Sequence, residues 1–136
     1  MKLTTAAKLA FSAALMIGCG GGGGGDAAAG PDPARGKKLY DRAVLGANSA
    51  EGCASCHKYD ESGGAADKAP YTKGTAARAA TRVPGMSAEE YIRESILSPD
   101  AYVVDGYEPG SMYSGWDTDI PEQDLNDIVA YLLTEL

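Results

Sequence analysis

The chain has 136 residues, 44% of them hydrophobic and 23% charged, with a formal charge of −7 at neutral pH. That length sets an expectation of one compact domain, and the acidic balance disfavours nucleic acid as a partner. The charge is also lopsided. Residues 26 to 82 carry nine basic and seven acidic side chains, whereas residues 83 to 136 carry twelve acidic side chains and only Arg93. The acidic half is either a solvated face or a docking surface for a basic partner.

Taken from the beginning, residues 1–18 read as a secretory signal: Lys2 and Lys8 give a positive start, and an apolar core from Leu9 to Ile17 precedes small Gly18. The core is too short for a membrane span, which needs about 20 residues. The expectation is an exported protein facing the periplasm or extracellular side. Leu15-Met16-Ile17-Gly18-Cys19 resembles the lipobox of bacterial lipoproteins, where the cysteine thiol receives a lipid. Lipidation of Cys19 also accounts for the odd one of three cysteines; an ordinary signal leaving a free Cys19 is the alternative. Removal of the signal takes Lys2 and Lys8 with it and moves the formal charge from −7 to −9. Gly20 to Gly25 and the stretch through Pro31 lack apolar periodicity, so residues 19–31 read as a lipidated cysteine and flexible tether, with a reach of roughly 20 Å. A membrane anchored by lipid is thus one expected partner. Residues 32–136 make the domain.

The first helix is expected to start at Asp32, whose carboxylate can cap free amides, with Pro33 at the first helical position. It is read as running to about Leu45. Ala47 to Ser55 is a small-residue loop, and residues 58–84 lack a sustained period, so they are expected to be mostly loop, wrapped around a buried cofactor. Ser87-Ala88-Glu89-Glu90 has the pattern of a capping box. The helix it opens carries Tyr91, Ile92, Ser95 and Ile96 on one side and stops before Pro99. Residues 105–118 form a loop dense in aromatics and turn residues. The last helix starts near Pro121, with Leu125, Ile128, Val129, Leu132, Leu133 and Leu136 in one stripe. Three main helices and no strand give an all-α class whose apolar stripes are small for its length. A flat apolar macrocycle at the centre would complete the core.

Cys53-Ala54-Ser55-Cys56-His57 is C-x-x-C-H, the signature of covalent haem attachment. One turn presents two thiols to the two vinyl groups on one edge of a porphyrin, and the next imidazole points at the iron. A structural zinc needs four ligands, and beside Cys19 the chain offers only Cys53, Cys56 and its sole histidine, His57. A thioredoxin-like dithiol lacks its βαβ context. A disulfide would staple a tiny loop and leave His57 unexplained. The expected cofactor is one haem c.

The sixth iron ligand decides between electron transfer, which suits His/Met ligation, and small-molecule binding at an open site. Met1 and Met16 lie in the signal, leaving Met86 and Met112. Met86 stands just before the Ser87 cap, where an apolar residue packs on the fourth helical residue, Tyr91. Met112 lies in the aromatic loop, where no helix or strand needs it. His57 and Met112 are therefore the expected iron ligands.

These residues resemble the class I cytochrome c family, the small His/Met cytochromes, across roughly residues 33 to 136. Gly36 and Tyr40 match its first helix, Cys53 to His57 its haem motif, and Pro70, Gly74 and Arg78 its Pro-x-x-x-Gly-x-x-x-Arg segment. Tyr107 to Met112 resembles the loop carrying the distal methionine, and Ala130-Tyr131-Leu132 the closing helix. The resemblance implies a small cytochrome c fold wrapped around one haem. It implies that the Pro70 carbonyl accepts from His57 Nδ1–H, that Arg78 sits near a haem propionate, and that Gly36 lets the first helix cross against Tyr131. Two residues depart from it: Tyr113 stands where proline often follows the methionine, and Ala69 where glycine is common. The function implied is single-electron carriage between donor and acceptor redox proteins, respiratory or photosynthetic. Such a protein acts as a shuttle or as a cytochrome subunit of a larger complex, such as alternative complex III. It is an electron carrier and not an enzyme; a haem enzyme or gas sensor with an open iron is the competing class, and the chain has no second histidine to serve it.

Overall fold

The computed structural model describes residues 30–136. The signal, Cys19 and all but the last residues of the tether lie outside the described residues.

Helix α1 spans Pro33–Tyr40, with Asp32 as its cap: the Asp32 carboxylate accepts from the Ala34 amide at 2.9 Å and the Arg35 amide at 3.1 Å. It ends five residues earlier than the sequence reading placed it. Val44 and Leu45 do not continue the helix but form strand β1, paired antiparallel with β2, Ala50–Glu51. Val44 is 55% exposed while Leu45 is buried, the alternation of an extended segment rather than of a helix face. This two-residue pair is the whole of the sheet structure among the described residues, so the all-α class holds.

After the hairpin, α2 is a single turn, Cys53–Cys56. The stretch read as loop contains a full helix, α3, Thr75–Arg82. It escaped the periodicity test because it buries only Ala76 and Ala79. Its face is marked by alanines set against arginines and not by large apolar side chains, and both residue types favour helix. Helix α4, Ala88–Leu97, opens with the expected capping box: Ser87 Oγ accepts from the Glu90 amide at 3.2 Å, and Glu90 accepts from the Ser87 amide at 2.8 Å. A one-turn helix, α5, Trp116–Asp119, lies inside the aromatic loop, and α6 spans Glu122–Leu132. Leu125, Ile128, Val129 and Leu132 are buried as the stripe predicts, but Leu136 is 86% exposed because α6 stops four residues before it.

The terminal helices α1 and α6 cross most intimately. A Cβ on Gly36 would lie 1.8 Å from the Asp127 carbonyl oxygen and 2.4 Å from its carbon, so only glycine fits there. The close partner is thus the Asp127–Ile128 backbone, one turn before Tyr131; Tyr131 packs instead edge-on against Tyr40, ring centroids 5.4 Å apart. The crossing is locked by a buried carboxylate. Asp127 accepts from the Asp32 amide at 2.8 Å, from Gln123 Nε2 at 2.9 Å and from the Arg35 guanidinium. Burial disfavours its charge, yet these donors outweigh that and hold the carboxyl below its usual range.

Candidate functional site

A cavity of about 550 Å³ opens between α2, α3, α4 and α6, within the range that buries a cofactor-sized ligand. Among the groups lining it are Cys53, Cys56, His57, Arg78 and Met112. The fold thus brings together residues from three separated segments, and Pro70 lines the same cavity. Met86 is half-buried and is not among the lining residues.

The motif segment is positioned by its own turn. The His57 amide donates to the Cys53 carbonyl at 2.9 Å, which closes α2 and sets Cys53 and Cys56 three residues apart with His57 next in line. Both cysteines are free thiols. Burial pushes the Cys53 thiol up to about 11, so it is protonated at neutral pH. Among the described residues no three His, Cys, Asp or Glu side chains converge as a metal-binding group.

His57 is held from behind. Its Nδ1 lies 2.9 Å from the Pro70 carbonyl oxygen; a carbonyl can only accept, so Nδ1 carries the proton and Nε2 keeps its lone pair for a metal. Burial lowers the His57 pKa and the Pro70 bond opposes this only in part, so the ring is the neutral, ligating form. The Pro70 segment is itself fastened to the chain that follows His57. The Thr72 amide donates to the Lys58 carbonyl and the Lys73 amide to the Tyr59 carbonyl, each at 2.9 Å. Buried Thr72 also shares a 2.7 Å hydroxyl bond with Tyr40 of α1. Nothing in the sequence marked Thr72.

Arg78 does more locally than the resemblance implies. Its guanidinium donates to the Lys73 carbonyl at 2.7 Å and to the Tyr71 carbonyl, so it clamps the turn that carries Pro70. One helical turn on, Arg82 also lines the cavity, and its Nε is buried without a protein partner. An orphaned cationic donor at the cavity wall is a fit for an anionic group on the occupant. The i, i+4 spacing from Arg78 was the signal that could have found it.

Met112 is half-buried and packs against the core cluster. The next residue, Tyr113, donates its hydroxyl to Asp119 at 3.1 Å. That acceptor, aided by burial, raises the Tyr113 pKa and keeps the phenol a donor.

No curated protein matches the chain significantly. A family model described as cytochrome c matches residues 33–135, nearly all of the described fold. Its covalent haem c, typically one per domain, is the group that two thiols one helical turn apart, followed at once by a neutral imidazole, are suited to hold. The chain belongs to the cytochrome c family.

Proposed function

We propose that this protein is a membrane-tethered monohaem cytochrome c that carries single electrons between redox complexes, with His57 and Met112 as the two axial ligands. The observation that supports it most is that His57, its Nδ1 committed to the Pro70 carbonyl at 2.9 Å, and Met112 line one cavity. Bound haem would supply a one-electron ferric/ferrous couple, and two protein ligands on its iron would leave no site for chemistry on a substrate. The residues then divide the work. Cys53 and Cys56 would hold the group covalently, and His57 and Met112 would ligate its iron and close it to other ligands. Arg78 secures the Pro70 turn, and Arg82, with its unpartnered buried donor, faces the propionates.

On this reading residues 1–18 are removed, Cys19 bears the lipid, residues 19–31 are the tether and 32–136 the cytochrome domain on the periplasmic or extracellular side. The protein serves as a shuttle or as a cytochrome subunit of a larger complex such as alternative complex III. The acidic half of the chain, residues 83 to 136, suits a basic redox partner. Cys19→Ala tests the anchor: the protein should leave the membrane fraction, and continued labelling by radioactive palmitate would refute lipidation.

The ligand assignment is tested by paired variants. Met112→Ala should lower the reduction potential and open the ferrous iron to carbon monoxide, while Met86→Ala should do neither and register only as lower stability. Reversal of the two outcomes would transfer the ligand to Met86. Ready binding of carbon monoxide by the unmutated protein would move the sensor or enzyme class ahead of electron transfer.

A further inference from the structure

We infer that Tyr113 is a positioning residue: its hydroxyl, bonded to the buried Asp119 carboxylate, holds Met112 in place, an inference that rests on Met112 being the sixth ligand. Met112 lies in irregular chain between the turn at Pro99–Ala101 and α5. Among the described residues neither Met112 nor Tyr113 makes a main-chain hydrogen bond, so the backbone alone does not fix the methionine. The Tyr113 side chain does. Its ring packs edge-on against buried Trp116, centroids 4.8 Å apart at 76°, and its hydroxyl reaches Asp119 Oδ2 at 3.1 Å. The path runs over Gly115, where a Cβ would lie 2.4 Å from the hydroxyl oxygen and 2.6 Å from the ring carbon that bears it. Glycine is required there for the tyrosine to pass.

Asp119 makes this more than a local contact. It is only 3% exposed, and an ionised carboxylate is an acceptor that must find donors when buried. Its second oxygen accepts from the Asn48 amide at 2.9 Å, and its main-chain carbonyl accepts from the Ala47 amide at 2.9 Å. Residues 47 and 48 lie in the β1–β2 connection, and β2 leads within two residues into Cys53. One buried carboxylate thereby joins the segment entering the haem motif to the residue following Met112. The proline that often follows the distal methionine in similar chains would stiffen the loop through its ring; here a side chain bonded to a distant segment fixes it.

The test uses the full-length haem-loaded protein. Tyr113→Phe removes one oxygen and keeps the ring on Trp116, and at 41% exposure the position tolerates the change. Loss of a charge-assisted hydrogen bond should raise the population with Met112 off the iron about tenfold or more. Three readouts report it: faster carbon monoxide binding to the ferrous protein, a weaker thioether-to-iron charge-transfer band in the ferric protein, and a lower potential. The same loss should lower the thermal midpoint by no more than about 10 °C in a domain of this size. Met112→Ala serves as the reference for a fully open iron. If Met112→Ala opens the iron and Tyr113→Phe matches the unmutated protein in all three, the positioning role is overturned and the ligand assignment stands. If Asp127→Asn, which loosens the α1–α6 crossing away from Met112, gives the same three changes at a comparable fall in thermal midpoint, general loosening explains them and the role is again overturned. If Met112→Ala leaves the iron closed, the ligand assignment fails and takes the positioning role with it.

Discussion

The segments carrying His57 and Met112 are secured in different ways. Around His57 the restraints are mostly main-chain, a helical turn from Cys53, the Pro70 carbonyl on Nδ1 and two amide-to-carbonyl bonds from Thr72 and Lys73, with the Arg78 guanidinium reinforcing the Pro70 turn. Around Met112 they are side-chain: the phenol of the adjacent Tyr113 set on an indole and a carboxylate from α5, the carboxylate held in turn by an Asn48 amide of the hairpin. Main-chain restraints survive substitution of most side chains along them. Side-chain restraints depend on single atoms, and so the Met112 segment is the one in which a single substitution should change ligation while the fold persists.

The comparison can be pushed from both ends. The largest effect is expected at the motif itself, where the side chains do count: Cys53→Ser combined with Cys56→Ser removes both thiols, and no haem should survive denaturing electrophoresis. Retained haem staining would sink the attachment assignment. A smaller effect belongs to the frame that both segments share. Asp127→Asn removes the charge that bonds the Asp32 amide and Arg35, and should cost about 2 kcal/mol in denaturant unfolding at neutral pH. Because the folded carboxyl sits below its usual range, its contribution is complete above the ordinary value of about 3.9 and is lost as pH falls below that. The unmutated protein should therefore lose stability below about pH 4 more steeply than Asp127→Asn. Parallel acid profiles for the two proteins would contradict this, and a change in carbon monoxide binding would show that the frame and the Met112 segment are not separable. The smallest effect should come from Pro70→Ala. The acceptor for His57 is a carbonyl that every residue has, so only backbone stiffness is lost, about 0.4–1 kcal/mol, with the optical spectrum unchanged. A perturbed spectrum would mean that proline's ring, and not merely its carbonyl, orients the imidazole.

Local signals in the chain were read well where they are complete in a few consecutive residues. Asp32 and Pro33, the Ser87–Glu90 box and the α6 stripe each contain their own physics, the capping of orphan amides or burial at a 3.6-residue period, and the structure has all three. The reading overran where a pattern continued past a change of conformation, at Val44–Leu45 and again at Leu136. It missed α3 because the buried face there is alanine set against arginine, with no large apolar side chain to count.

By itself the sequence determined the family-defining motif and the helical class. Those follow from composition, spacing and elimination, which need no coordinates. Tertiary structure alone decided the rest. It placed the Gly36 approach at Asp127 rather than Tyr131, gave Arg78 to the Pro70 turn and left Arg82 with a free buried donor. It also set Tyr113 on Asp119, and Asp119 on Asn48, a residue 71 positions away. Each of these is a contact between residues far apart in the chain, and the distance between such residues is fixed only when the helices pack.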